Sequence, residues 1–137
     1  MNLLDICAAD PATVSLTASA ADAIEAMINR RMGAAAIIDE NGIIAGIFTE
    51  RDVMRKVALS GRDPHKIPVR EVMTAPVVMA TKSTSIAEAL QVMIDTQKRH
   101  LPVTEEDGKL LGMLSIRHVL ERNVDDLTRQ LAASSKR

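Results

Sequence analysis

The residues best suited to chemistry follow a predicted strand, in the segment Gly46–Asp52 (GIFTERD). Thr49 and Asp52 are three positions apart, and both residue types cap the first turn of a helix because their oxygens accept hydrogen bonds from free backbone N–H groups. Capping alone would explain this pair. Arg51 needs another explanation, since the helix dipole disfavours a cation in the first turn by about 0.3–1 kcal/mol. The segment therefore indicates an anion nearby, with a surface carboxylate as the alternative partner of the arginine.

A second polar cluster, Lys98-Arg99-His100, comes directly before the predicted strand Leu101–Val103. Cations are common at the end of a helix, where the dipole favours them, so a solvated helix end is one explanation. If the fold brings this cluster next to Thr49 and Asp52, its cations could instead hold a phosphate group.

The chain repeats itself at a distance of 66 residues, so that GIFTERDV at 46–53 corresponds to GMLSIRHV at 112–119. The register continues back through the preceding segment, with eight identities in 32 positions. The second copy keeps the hydroxyl and the guanidinium but not the carboxylate: Thr49, Arg51 and Asp52 become Ser115, Arg117 and His118. Two copies of a supersecondary unit bury their apolar faces on each other. The repeat therefore predicts a pseudo-two-fold axis with two related clefts, which favours a binding module over an enzyme with one site.

Each copy has the pattern of strand, helix, strand, strand and helix, which predicts an α/β (α+β) protein of two β-α-β-β-α halves packed sheet to sheet. Corresponding signals mark helix starts and hairpin turns in both halves, namely Ser19-x-x-Asp22, Ser85-x-x-Glu88, Gly42 and Gly108. Pro102 is expected at a strand start or edge, because proline cannot donate a ladder hydrogen bond. The predicted limits are 1–60 for the first domain, 61–68 for a linker, 69–126 for the second domain and 127–137 for the end of the last helix and a tail.

The composition limits the possible functions. A net charge of −1 argues against nucleic acid as a partner, which requires a basic face. We expect no membrane span and no signal peptide, because the chain has neither a long apolar stretch nor a basic start. A single cysteine, Cys7, excludes an intrachain disulfide, and these features together predict a cytoplasmic protein.

The sequence contains no motif for catalysis or metal binding. We find no nucleophile with a positioned base, no poised pair of carboxylates and no glycine-rich phosphate loop. The residues that could bind a metal are Cys7, His65, His100 and His118. No two of them have the short sequence spacing that is typical of metal sites. The sequence therefore predicts a protein that is not an enzyme and has no metal or catalytic cofactor.

Taken together, these features resemble the CBS (cystathionine β-synthase) domain family, specifically a stand-alone CBS pair, or Bateman module. The resemblance covers about Leu4–Val124 and rests on four elements: the Met73-Thr74 entry to the second repeat, the hairpins at Gly42 and Gly108, the RHLPV segment at 99–103 and the Thr-x-x-Asp motif ending at Asp52.

The resemblance implies a binding site for an adenine nucleotide. Thr49 and Asp52 would hold the ribose, since a carboxylate can accept two hydroxyl donors at once. The phosphate would meet basic residues, namely Arg51, Arg99, His100 and Arg117, and the backbone of Leu101 and Pro102 would border the cleft. The second cleft departs from the family pattern, because its Ser115 is followed by His118 where an aspartate is expected. We expect this second cleft to be empty, weak or altered in its ligand.

The implied function is that of a regulatory sensor whose occupancy alters a dimer or partner surface. AMP is the favoured ligand, and ADP, ATP, NAD and S-adenosylmethionine stay open. A homodimer is expected, and the regulated protein is unknown. The main alternative is a dimerisation or interaction module with vestigial clefts. A small nucleotide hydrolase or transferase is the third hypothesis.

Overall fold

The chain folds as two similar halves, each built on a three-stranded sheet. The computed structural model describes residues 2–135, except for the side chains of 123–127, 130, 134 and 135. The first half consists of β1 (Thr13–Ser15), α1 (Ala20–Arg30), β2 (Ala34–Ile38), β3 (Ile44–Thr49) and α2 (Glu50–Asp52), which continues into a π-helical turn (Val53–Val57). The second half consists of α3 (Val69–Val72), β4 (Ala80–Thr81), α4 (Ile86–Thr96), β5 (His100–Thr104), β6 (Leu110–Ser115) and α5 (Ile116–Ser135).

The two sheets have the same topology. In the first, β2 is the central strand, parallel to β1 and antiparallel to β3. In the second, β5 is central, parallel to β4 and antiparallel to β6. The hairpin turns contain Gly42 (φ 79°) and Gly108 (φ 93°) in the left-handed region, where glycine has no steric penalty. The predicted α/β fold of two β-α-β-β-α halves is confirmed.

Helices α1 and α4 begin at the predicted caps. The Ser19 hydroxyl accepts from the Asp22 N–H at 3.0 Å, and the Asp22 carboxylate accepts from the Ser19 N–H at 3.0 Å. In the second half, Ser85 Oγ accepts from the Glu88 N–H at 3.1 Å and donates to the Glu88 carboxylate at 3.0 Å. The capping box is therefore reciprocal in α1, whereas in α4 the glutamate bonds the cap hydroxyl.

The core has one apolar cluster in each half and a third between the sheets. Phe48 and Ile37 are fully buried in the first half, and Leu101 and Leu114 in the second. The third cluster joins β2 and β3 to Met113 of β6. Backbone hydrogen bonds also cross between the halves, from Ile44 N–H to Gly108 C=O (3.1 Å) and from Leu110 N–H to Gly42 C=O (3.2 Å). The two halves therefore pack sheet to sheet, as the repeat predicts.

The first residues of each half lie on the sheet of the other half. Thr74 exchanges two backbone hydrogen bonds with Ile47 of β3 (2.7 and 3.0 Å), and Ala8 exchanges two with Met113 of β6 (2.9 and 3.1 Å). Ala8 and Thr74 occupy corresponding positions of the repeat. This crossing brings Thr74 to the end of β3, next to the Thr-x-x-Asp motif.

Two details differ from the expectations. Pro102 lies in the middle of β5, opposite Met113, rather than at a strand start or edge. Strand β4 pairs with β5 only from Val103 onward, so no β4 residue is opposite Pro102 and the missing N–H costs no bond on that side. The C-terminal segment is helical as far as Ser135, whereas Lys136 and Arg137 of the predicted tail lie outside the described residues.

The described helices include none that is both long enough and apolar enough to cross a bilayer.

Candidate functional site

A cleft of about 1100 Å³ lies between the two halves, where β3 and β6 end. The two predicted clefts are joined in this one cavity. It brings together most of the predicted site residues, namely Thr49, Arg51, Asp52, Arg99, His100, Ser115, Arg117 and His118. Leu101 and Pro102 are not among the lining residues; both are buried within β5.

The Asp52 side chain is buried at the start of α2, with only 6% of the residue exposed. Its Oδ2 accepts hydrogen bonds from the Thr49 N–H (3.0 Å) and the Thr49 hydroxyl (3.3 Å), and Thr49 Oγ1 accepts from the Asp52 N–H (3.2 Å). Thr49 and Asp52 thus form a reciprocal capping box. Capping is a real role of this pair, and it fixes the carboxylate at the cleft.

Two further residues hold the same carboxylate. The Thr74 hydroxyl lies 3.1 Å from Oδ1 and 3.2 Å from Oδ2 of Asp52. Lys56 Nζ lies 3.0 Å from Oδ1 and also donates to the Val72 carbonyl at 3.1 Å. Neither Thr74 nor Lys56 was predicted as a site residue. The i,i+4 spacing of Asp52 and Lys56 was a readable signal, whereas Thr74 reaches the site only through the crossing of the chain between the halves.

The second half of the cleft has no counterpart of the Asp52 carboxylate or of the Thr74 hydroxyl that donates to it. Ser115 Oγ accepts from the Arg117 N–H at 3.1 Å, and His118 stands at the position of Asp52. Nδ1 of His118 is buried and has no hydrogen-bond partner among the described residues. Ala8 stands where the first half has Thr74. The two halves of the cleft are therefore chemically different.

The cleft concentrates positive charge. Its lining residues include seven lysines and arginines but only two acidic residues, Glu50 and Asp52, in a chain whose net charge is −1. Local charge of one sign in a concave site attracts ligands of the opposite sign. The cations are Arg31, Arg51, Arg55, Lys56, Lys98, Arg99 and Arg117. Three of these cations were not predicted from the sequence, namely Arg31, Arg55 and Lys56.

His100 lies at the junction of the two halves. A Cβ added to Gly33 of the first half would lie 3.0 Å from His100 Cε1 and 2.8 Å from Glu50 Oε1, so the missing side chain of Gly33 leaves space for both groups. Burial lowers the pKa of the His100 imidazole; the Glu50 carboxylate opposes this, and His118, Arg99 and Arg117 lower the pKa further. His100 is therefore a neutral hydrogen-bonding group at neutral pH unless an anion approaches it.

In the described part of the chain, no three His, Cys, Asp or Glu side chains are grouped closely enough to hold a metal ion.

Comparison with known proteins shows the family to which the chain belongs. The model of the CBS domain matches residues 4–59 and 69–125. An uncharacterized protein of Methanopyrus kandleri is 31% identical over 112 residues, which are 82% of this chain and 57% of that protein. The chain thus spans less than two thirds of the length of this relative.

Solved structures share the fold. A CBS-domain containing protein from Agrobacterium tumefaciens is 30% identical, with a TM-score of 0.77 over 90% of this chain and 99% of that one. The CBS domain pair of protein MJ0100, in complex with 5-methylthioadenosine and S-adenosyl-L-methionine, has a TM-score of 0.82 at 21% identity, over 92% and 98% of the two chains. Protein PAE2072 from Pyrobaculum aerophilum, complexed with AMP, has a TM-score of 0.78 at 22% identity, over 86% and 89%. The chain belongs to the CBS domain family and contains a pair of CBS domains.

Proposed function

We propose that this CBS pair is a regulatory module without catalytic activity, which binds an adenosine nucleotide in the cleft between its halves. AMP is the ligand we favour. Its ribose would lie at Thr49 and Asp52, and its phosphate would face Arg99, His100 and Arg117 from the second half, with Arg51 at the rim.

The observation that carries this proposal is the buried carboxylate of Asp52 at the wall of a cationic cleft. A carboxylate accepts two hydroxyl donors, which suits a sugar diol. Charge-assisted hydrogen bonds from guanidinium groups suit a phosphate, because they are stronger than neutral ones. The lining also includes aliphatic side chains that could contact an adenine ring, among them Ile24, Met27, Ile47 and Val53.

Related proteins support the ligand class. One CBS protein of the same fold was crystallised with AMP, and another with 5-methylthioadenosine and S-adenosyl-L-methionine. These ligands share an adenosine group and differ in what is attached to it. The cations of the present cleft favour the phosphorylated member.

We further propose that the module acts as a cytoplasmic homodimer and that occupancy alters the dimer or a surface that binds an unknown regulated protein. Large apolar side chains are exposed on the helices, among them Ile28 (68%), Met54 (63%) and Leu120 (54%), and their burial would stabilise a dimer. A ligand shifts such an equilibrium only by its different affinity for the two states.

Titration calorimetry with adenosine, AMP, ADP, ATP, NAD and S-adenosylmethionine tests the proposal. We expect AMP to bind and, at 100 times its dissociation constant, to stabilise the fold by about 2.7 kcal/mol. Chromatography of the ligands after incubation should show no turnover. Absence of binding by every adenosine compound would contradict the sensor, and consumption of a nucleotide would contradict the absence of catalysis.

One observation favours the second candidate, an interaction module with a vestigial cleft. Both oxygens of Asp52 already accept hydrogen bonds from protein groups. If these contacts are purely structural, adenosine compounds will not bind, while the exposed apolar helix residues will still support association.

A further inference from the structure

Lys56 occupies the place on Asp52 that a ribose would need. Its Nζ lies 3.0 Å from Oδ1 of Asp52 and 3.1 Å from the carbonyl oxygen of Val72, so the ammonium is held between two acceptors. The Lys56 side chain is 41% exposed and belongs to the lining of the cleft. It is therefore both positioned at the carboxylate and free to leave it.

The other donors to Asp52 cannot leave so easily. The Thr49 N–H and hydroxyl bond Oδ2 as part of the capping box, and losing them would open the first turn of α2. The Thr74 backbone is held by two hydrogen bonds to Ile47, which keeps its short side chain next to the carboxylate. Lys56 alone among these donors is carried by a long, partly solvated side chain, which can swing into water at little cost.

We propose that Lys56 competes with the sugar of the ligand for Oδ1 of Asp52 and thereby sets the affinity of the cleft. This inference rests on the proposed function. When the ligand binds, its hydroxyl donors would replace the Lys56 ammonium at Asp52. The free energy of the Lys56–Asp52 ion pair would then be lost, which weakens the net binding of the ligand. The second half of the cleft offers no such competition, because His118 replaces the carboxylate.

The competition predicts an unusual direction for the change in affinity when Lys56 is replaced by an uncharged residue. Removing a cation from an anion-binding cleft normally weakens binding, whereas removing Lys56 should strengthen the binding of a ligand that carries the sugar but no phosphate. Adenosine is this ligand. An ion pair of this exposure is worth an affinity change of about two- to fivefold.

The test compares Lys56→Met, which keeps the length and apolar stem of the side chain, with Lys56→Arg, which keeps the charge, and with the wild type. Lys66→Met is the matched control, an exposed lysine that does not line the cleft. Calorimetry with adenosine and with AMP is performed below the melting temperature of every variant. We expect Lys56→Met to bind adenosine about two- to fivefold tighter and AMP with a smaller gain, while Lys56→Arg and Lys66→Met stay within about twofold of the wild type.

Each other result overturns the inference. Weaker AMP binding with unchanged adenosine binding would make Lys56 a phosphate ligand. Unchanged or weaker adenosine binding by Lys56→Met would remove the competition. If the wild type binds neither adenosine nor AMP, the competition fails together with the choice of AMP. The proposed function itself fails only if none of the other adenosine compounds binds either, which distinguishes the two failures.

Discussion

Asp52 caps helix α2 and is also the residue that we propose to bind the sugar. The same carboxylate closes a capping box with Thr49 and accepts a hydroxyl from Thr74 and an ammonium from Lys56. A cap needs only the acceptor facing Thr49, whereas the proposed sugar contact needs Oδ1. The two roles can therefore be separated by measuring stability and affinity on the same variants.

Asp52→Asn should weaken binding far more than it lowers stability. Asparagine retains one acceptor for the cap but loses the charge that attracts two hydroxyl donors, so we expect at least about a tenfold loss of AMP affinity. The free energy of unfolding should fall by about 1 kcal/mol, as for the loss of other helix caps. The matched control is Asp22→Asn, which alters the equivalent capping box of α1 outside the cleft. Equal affinities for the two variants would reduce Asp52 to a cap.

Arg99→Ala should show whether Arg99 contacts the phosphate or the sugar of the ligand. We expect AMP to bind about tenfold more weakly and adenosine to change by less than about twofold, because a guanidinium–phosphate contact is charge-assisted. Arg70→Ala removes an exposed arginine that does not line the cleft and serves as the control. If both ligands lose affinity equally, Arg99 does not contact the phosphate.

His100 should make stability depend on pH. Burial lowers its pKa in the folded state from the ordinary value of about 6.5, so the unfolded chain binds more protons there. The free energy of unfolding should consequently fall as the pH drops below about 6.5 and level off below the folded-state pKa. The groups facing the ring are Glu50, His118, Arg99 and Arg117.

Urea denaturation at several pH values checks this expectation in the wild type and in His100→Gln. The variant should lose part of the decline in the free energy of unfolding towards acid pH. An identical pH dependence in both proteins would show that His100 does not contribute.

At the scale of elements, the segments that cross between the halves pack closely on strands β3 and β6. A Cβ at Gly112 would lie 2.6 Å from Cys7 Sγ and 2.7 Å from the Ala8 carbonyl oxygen, which is backbone. A Cβ at Gly46 would meet the flexible side chain of Met73. Side chains can move aside, whereas the Ala8 backbone is bonded to β6.

Gly112→Ala should therefore cost more stability than Gly46→Ala. Overpacking typically costs about 1–3 kcal/mol, and we expect the upper end for Gly112 and the lower end for Gly46. Urea denaturation of both variants measures the difference. A cost for Gly46→Ala equal to or above that for Gly112→Ala would show that the Ala8 segment yields easily.

Local signals predicted the elements well. The Ser19 cap, both glycine hairpins and the limits of β5, predicted as Leu101–Val103 and correct within one residue at each end, follow from rules that act over a few residues. The position of Pro102 was wrong, because the length of the neighbouring strand β4 decides which N–H groups are needed. The π-helical turn after Asp52 has no counterpart in α5 and was not signalled by the repeat.

The lining of the candidate cleft was predicted less completely, because part of it depends on contacts between the halves. The repeat located Thr49, Asp52 and their counterparts, and the cleft also gathers Arg99 and His100. Leu101 and Pro102 do not line it, because both are buried within β5. Thr74 was overlooked as a donor, because a residue 22 positions from Asp52 meets it only after the chain crosses to the other sheet.

For the whole molecule, the central feature is that a symmetric fold holds an asymmetric cleft. Both halves present a hydroxyl and an arginine at the end of a strand, but only the first adds Asp52 and Thr74, and only the second adds Arg99 and His100. A nucleotide with its sugar at the first half and its phosphate at the second would use both additions. We therefore expect one high-affinity nucleotide per chain.

A crystal structure with AMP at saturating concentration tests this claim most directly. The account predicts one nucleotide per chain, with ribose hydroxyls on Oδ1 of Asp52, the Lys56 ammonium displaced and the phosphate next to Arg99 and His100. An unoccupied cleft, or AMP bound instead at Ser115 and His118, would contradict it.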